Sequence, residues 1–231
     1  MKKPAASVPA PTLVHHTVLI TMNAFTKLES HYGVPFPPGY RDWSLKKYTD
    51  PRDNGDSYLW VNEAEWIPPD EIPQRDLWRT NIIPGLIPFA FSGAGDNWCW
   101  NTQVKNGEAE YEVLYCWHDE DLADAFAPTF PSWFYRNCLD YASSVDEHDE
   151  GIEEARANLR LWSTRLSEIH PGPWADHLSS LAEVQPMEYK HPKWFAAPKE
   201  FGFITAMQID EIVADQFGRR YLEQKVEWGT I

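Results

Sequence analysis

The stretch from Ile87 to Trp100, IPFAFSGAGDNWCW, sets two aromatic-rich segments on either side of a run of small residues, Ser92-Gly93-Ala94-Gly95-Asp96. Such a run is either a cradle for a phosphate or a bend that folds one strand back on the next, and the choice decides what the middle of the chain can fold into. A phosphate-binding loop has similar glycine content, but it follows a strand and opens a helix whose N-terminal amides, with a nearby Lys, meet the anion. Here the bend leads into Trp98-Cys99-Trp100 and then polar Asn101-Thr102-Gln103, which is a short strand, and Asp96 places an acid where a phosphate wants a base. The glycines therefore read as suppliers of the positive-φ positions of a tight turn.

Further β-structure is expected at Tyr58–Val61, over Ile82–Phe91 and over Tyr111–His118, with a turn somewhere in the polar Asn101–Glu110. In Tyr111–His118 both alternating faces carry bulk: Val113, Tyr115 and Trp117 on one, Leu114, Cys116 and His118 on the other. A sheet covered on both sides, or an interface, would explain that. Around this β-rich middle lie helical periods. Phe25, Leu28 and Tyr32 recur at helical spacing before Gly33, a suitable C′ residue, and Tyr40, Trp43 and Tyr48 follow a proline-rich start. Asp119–Phe126 and Phe130–Tyr141 read as helical, the latter with Phe130, Phe134 and Leu139 inward. Ile152, Ala155, Leu159, Trp162, Leu166 and Ile169 form one apolar stripe that ends at Pro171-Gly172, and Thr205–Gln208 fits a capping box for a helix running to Gly218. Leu222, Val226 and Trp228 suggest a closing strand. Residues 1–20 read as a loose tail, 21–145 as the main domain and 146–231 as an extension packed on it.

Charge narrows the partners. There are 35 acids against 20 bases, a net charge of −15, which argues against nucleic acid or an anionic membrane as direct ligand. A basic protein partner is the natural complement, although acids also keep a surface with 12 Trp in the chain soluble. No apolar run reaches membrane-spanning length, and Pro4, Pro9 and Pro11 interrupt the segment after Met1-Lys2-Lys3 before any signal-like apolar core forms. Cys99, Cys116 and Cys138, odd in number and set in apolar segments, read as reduced buried thiols and favour the cytoplasm.

Chemistry is hard to assemble from these residues. Cys116-x-His118 lacks any zinc-type spacing, so no metal or other cofactor is expected, and Trp117-His118-Asp119 is a His-Asp pair without a nucleophile. The plainer reading makes Asp119 the N-cap of a helix with Glu120 and Asp121 in its first turn. Trp98 and Trp117 are expected as core anchors of adjacent strands.

Several pieces, taken in order, point to a family: Leu28-Glu29-x-x-Tyr32-Gly33-Val34, Phe36-Pro37-x-x-Tyr40-x-x-Trp43, Ile87-Pro88-Phe89-Ala90 with Gly95-Asp96-Asn97-Trp98-Cys99-Trp100, and Val113-x-x-x-Trp117-His118-Asp119. This order resembles the SUKH superfamily, the bacterial and fungal group that includes the SMI/KNR cell-wall assembly regulators. The signature positions are Tyr40, Trp43, Gly95, Asp96, Trp98, Trp117, His118 and Asp119. Two positions depart from the pattern: Asn101 replaces the acid that usually ends the strand after the bend, and Phe36 stands where a Leu is usual. The resemblance implies an α+β fold, with N-terminal helices packed on a mainly antiparallel sheet, to which the residues from Asp146 onward add a helix-rich C-terminal extension, and it implies no enzymatic activity. It implies function by binding, in many members as immunity proteins against a cognate polymorphic toxin, in others as signalling or wall-assembly scaffolds. The acids expected to meet a basic toxin domain are Asp119, Glu120, Asp121 and Asp124, and Asp146, Glu147, Asp149 and Glu150.

Overall fold

In a computed structural model, residues 24–52, 58–76, 84–145, 151–190 and 199–228 are described. Helix α1 covers residues 24–32 and α2 Pro38–Leu45; β1 is Glu65–Trp66 and α3 Ile72–Asp76. Four strands follow, β2 Leu86–Phe91, β3 Asn97–Lys105, β4 Tyr111–Cys116 and β5 Leu122–Ala127, then α4 Phe130–Ser143. The C-terminal part adds α5 Ile152–Ile169, α6 Pro173–Leu181, the pair β6 Met187–Lys190 and β7 Lys199–Gly202, α7 Ala206–Gln216, α8 Arg220–Glu223 and β8 Lys225–Glu227. The main sheet runs β1-β2-β3-β4-β5-β8, every pairing antiparallel. The fold is α+β, as the family resemblance implies.

The bend at Ser92–Asp96 joins β2 to β3. The Ser92 amide donates to Asp96 O at 2.9 Å and the Gly95 amide to Ser92 O at 3.0 Å. Gly95 sits at φ +98°, a region that side chains rarely occupy, so a glycine is required there. The turn fixes Phe91 opposite Asn97 and Ala90 opposite Trp98. That register places Trp98 and Trp100, two apart, on the same face of the sheet. On that face Trp100 stacks on Phe89 at 4.4 Å, Tyr40 meets Trp100 edge-on at 4.9 Å, and Trp133 from α4 meets Phe89 at 4.9 Å. Trp43, Trp66, Trp100 and Trp133 all lie within this layer with at most 1% of their surface exposed. Burial of such rings, at roughly 25 cal/mol per Å² of apolar area, is what holds α2 and α4 to the sheet.

Helix boundaries follow local chemistry. Gly33, at φ +69°, closes α1 with its amide on Glu29 O, and the Glu29 carboxylate accepts from the Phe36 amide and from Arg41, tying α1 to α2. Thr129 and Ser132 form a reciprocal capping box on α4, as do Thr205 and Gln208 on α7. The stripe Ala155, Leu159, Trp162 and Leu166 of α5 is fully buried. Gly202 marks a close approach of backbones, because a Cβ there would lie 2.4 Å from Ser143 O. The β6–β7 pair can then cap the end of α4, with the Phe203 amide on Ala142 O and the Tyr189 hydroxyl on Ser143 O, both at 2.7 Å.

The structure corrects several expectations. Asp119–Phe126 is not helical, and Asp119 caps no helix: the segment is a turn followed by β5. Its sequence Leu-Ala-Asp-Ala-Phe-Ala alternates small and larger residues with period two, and pairing with β4 on one side and β8 on the other overrides the helix propensity of its alanines. Tyr58–Val61 forms no regular strand; Val61 makes a lone bridge to Ala64, and the Leu59 carbonyl accepts the indole N–H of Trp66 at 2.6 Å. Strand β3 continues through Lys105, which confines the turn to Asn106–Glu110. Leu222 belongs to α8, and the closing strand is Lys225–Glu227. The expected tail, residues 1–20, lies outside the described residues.

Candidate functional site

Asp96, at the end of the bend, is the hub of a buried polar knot. Its carboxylate accepts from Ser92 Oγ at 3.0 Å, the Tyr115 hydroxyl at 2.7 Å, the His118 amide at 2.9 Å and His118 Nδ1 at 2.8 Å. Burial opposes its charge, but these donors outweigh burial and bring its pKa down to about 2. The knot therefore joins the bend to the end of β4, and the partner of His118 is Asp96 rather than the adjacent Asp119. His118 itself is not packed on the face of Cys116: the thiol has no exposure, whereas the His118 side chain is 46% exposed just beyond the strand.

Because an aspartate with a depressed pKa stabilises the fold while ionised, its contribution is complete above pH 3.8 and is lost as the pH falls toward 2. Asp96→Asn should lower stability at pH 7 by about 2 kcal/mol and flatten the acid limb of a stability–pH curve between pH 4 and 2. Denaturant midpoints across that range check both effects. An acid limb as steep in the variant as in the wild type would remove Asp96 from its assigned role.

Beside the knot opens a cleft of about 360 Å³. Ser92, Trp98 and Tyr115 form its back wall, sharing two side chains with the knot. Trp117, Asp124 and Phe126 line one side, Arg136, Asn137 and Asp140 of α4 the floor, and Tyr221 and Leu222 of α8 the far side. Asn62 and Glu63 project from the turn at Val61–Ala64, where Glu63 holds φ +51°, an unusual backbone for a side-chain-bearing residue.

Trp98 has the role expected of it, 7% exposed and packed on Tyr115, Phe126 and Trp133. Trp117 does not. It stands past the end of β4, half-buried at the cleft, edge-on to Tyr115 at 4.7 Å, with its indole N–H on Asp124 at 2.8 Å. Tyr40 and Trp43 are core residues without exposure.

Of the acids expected to face a partner, Asp124 lines the cleft and pairs with Lys225 at 2.8 Å. Asp119, Glu120 and Asp121 are exposed in the adjoining β4–β5 turn, which is held by Trp228: its indole N–H donates to Glu120 O and its amide to Asp121 O. Asp146, Glu147, Asp149 and Glu150 lie outside the described residues. Sequence reading missed Glu63, Arg136 and Asp140. A signal for the last two existed, since Arg136 and Asp140 are the charged pair at i, i+4 in an otherwise uncharged helix.

The electrostatics of the floor are unusual. Arg136 Nη1 donates to Phe126 O and Tyr221 O, both at 2.7 Å, and its guanidinium lies over the Phe126 ring at 4.0 Å. Burial lowers its pKa, offset in part by Asp140, Asp210 and Asp124. Burial likewise raises Asp140 to about 6, with Arg136 opposing and Asp210 adding to the rise. Among the described residues no group of three or more His, Cys, Asp or Glu is placed to hold a metal ion.

An antiparallel sheet under N-terminal helices, with a knotted Gly-Asp bend and His-Asp in the turn that follows β4, defines one class of α+β domain. The family model described as SMI1 / KNR4 family (SUKH-1) matches residues 19–136, just over half of the 231-residue chain, and the protein belongs to that family. No curated protein and no solved structure matches the chain. The matched span ends at Arg136, so Asp140 and the α8 wall of the cleft lie beyond it. One departure from the family pattern also finds its physical reason. Asn101 is the cross-strand partner of buried Glu112 and donates to it at 3.1 Å, where an acid would have set two carboxylates against each other.

Proposed function

We propose that this protein is a non-enzymatic, cytoplasmic binding module: an immunity protein that neutralises a cognate polymorphic toxin by engaging its basic domain. The observation that carries the reading is an aromatic cleft lined by Glu63, Asp124 and Asp140 and flanked by the exposed turn Asp119–Asp121, on a chain of net charge −15. Aromatic walls supply contact area and residence time, while the acids steer a basic partner into place. Ser92, the hydroxyl among the lining residues that could suggest nucleophilic chemistry, donates to Asp96, an ionised carboxylate occupied by three other donors. The cytoplasmic placement draws support from three buried free thiols. Among the described residues no helix is long and apolar enough to cross a membrane.

The reading expects a large toxin gene directly upstream, and its test is capture of the C-terminal domain which that neighbouring gene encodes, followed by stopped-flow association at two ionic strengths. Converting Asp119, Glu120 and Asp121 to Lys should slow association about tenfold or more at low salt and change dissociation little. The wild-type association rate should fall as salt rises, since exposed charges are screened beyond about 10 Å at 0.1 M. Association indifferent to salt and to charge reversal would leave the acids a solubility role and favour a regulatory scaffold of the same family.

A further inference from the structure

The three carboxylates lining the cleft differ in how they are satisfied. Asp124 is occupied by the Trp117 indole and by Lys225. Glu63 stands exposed at the rim. Asp140 lines the floor, and among the described residues no hydrogen bond or ion pair reaches its carboxylate. Arg136, one helical turn earlier, offsets its charge at a distance but spends its Nη1 protons on two backbone carbonyls, and its buried Nε meets no acceptor. Asp210 of α7, the other charged group acting on Asp140, is of like sign. Asp140 is part-buried, so the unused acceptor capacity of its carboxylate is open to a donor that arrives from outside.

The surroundings say which donor fits. Tyr115 and Trp117, both half-buried, line the same cleft as Asp140, and a delocalised planar cation gains from such rings as well as from a carboxylate. An ammonium is more strongly hydrated, loses more on entering, and cannot use a flat wall as well. A volume of about 360 Å³ is at the small end for ligand sites and suits a single side chain better than a folded segment.

Resting on the protein-binding reading above, we propose that the cleft receives one arginine side chain of the protein partner, its guanidinium donating to Asp140 and its plane packed against the rings of Tyr115 and Trp117. The arginine is thereby the buried anchor of the complex, and the acids of the Asp119–Asp121 turn act only on its approach.

The probe is the capped tripeptide acetyl-Gly-Arg-Gly-amide, titrated at low salt into the full chain while the indole N–H resonances of Trp98 and Trp117 are followed by NMR. Saturable shifts in the millimolar range are expected. The citrulline analogue, with the same shape and no charge, should shift neither resonance with wild-type protein, a comparison that needs no variant to fold. Asp140→Asn, checked by its melting temperature, should weaken the arginine peptide at least tenfold, and the lysine peptide should bind wild type more weakly than the arginine one. Equal responses to arginine and citrulline, or undiminished binding by folded Asp140→Asn, would overturn the proposal. The two readings separate cleanly. A toxin domain whose affinity is unmoved by Asp140→Asn keeps the immunity function and removes the arginine anchor, whereas peptide binding through Asp140 without any captured toxin domain keeps the anchor and removes the immunity function.

Discussion

Trp133→Ala is expected to cost about 3–5 kcal/mol, the range for truncating a large buried aromatic. The residue has no exposed surface and sits where α4 crosses the sheet, its ring 4.9 Å from Phe89, 5.3 Å from Trp66, 5.6 Å from Phe130 and 5.8 Å from Trp98. Removing it opens a void bordered by other rigid rings, which cannot close over it as flexible aliphatic chains would. Its indole N–H has no hydrogen-bond partner, so Trp133→Phe sacrifices volume alone and should cost only about 1–2 kcal/mol. Denaturant midpoints for the two variants, with unchanged slopes, give the comparison. An alanine variant within about 0.5 kcal/mol of wild type would mean that α4 does not dock through this ring. Trp98, packed on Trp133 and lining the cleft, links the same truncation to binding: a loosened Trp133 moves the cleft's back wall.

What could be read in advance divides along the line between local and tertiary signals. Helices α4, α5 and α7 carry their own evidence, in the buried stripe Ala155-Leu159-Trp162-Leu166 and in the Thr205–Gln208 box, because helix hydrogen bonds close within the segment. The β2–β3 hairpin is legible for the same reason, since its turn residues and flanks are contiguous. Strand β5 was not, because alanines at 123, 125 and 127 favour a helix until β4 and β8 offer partners. The two-residue β1 and the four-residue β6 and β7 are too short for any period to register. The site follows the same division. Asp96 and His118 each stand out as parts of a signature, yet their mutual bond spans 22 positions and exists only after β3 and β4 align. Asp140 gives a weaker signal still, one of the two charges in α4, and its meaning depends on Tyr221 arriving from the far end of the chain.

The second large effect concerns how that far end is held. Glu112 on β4 is 1% exposed, accepts from Asn101 at 3.1 Å, and forms an ion pair with Arg220 of α8. Arg220→Ala should cost about 3 kcal/mol, the lower part of the range for breaking a buried pair, because Arg220 is itself 42% exposed and most of the penalty is the carboxylate left behind. The pH dependence identifies that cause. Burial holds Glu112 above its usual 4.5, with Arg220 and Asn101 pulling against it. Without Arg220 the folded pKa rises further, so the folded state keeps a proton that the unfolded chain has already released. The variant should therefore match wild type near pH 4 and lose ground steadily as pH rises through and above 4.5. Adding Glu112→Gln to Arg220→Ala should recover most of the loss at pH 8, since the amide carries no charge and can still bond Asn101. A deficit that is equal at pH 4 and pH 8, with no rescue by Glu112→Gln, would place the effect of Arg220 elsewhere. Because Tyr221 and Leu222 follow Arg220 directly and line the cleft, the same ion pair that fastens the C-terminal region to the sheet also positions this side of the cleft. The single variant should then weaken partner binding in step with its pH-dependent loss of stability, and the double variant should restore both together.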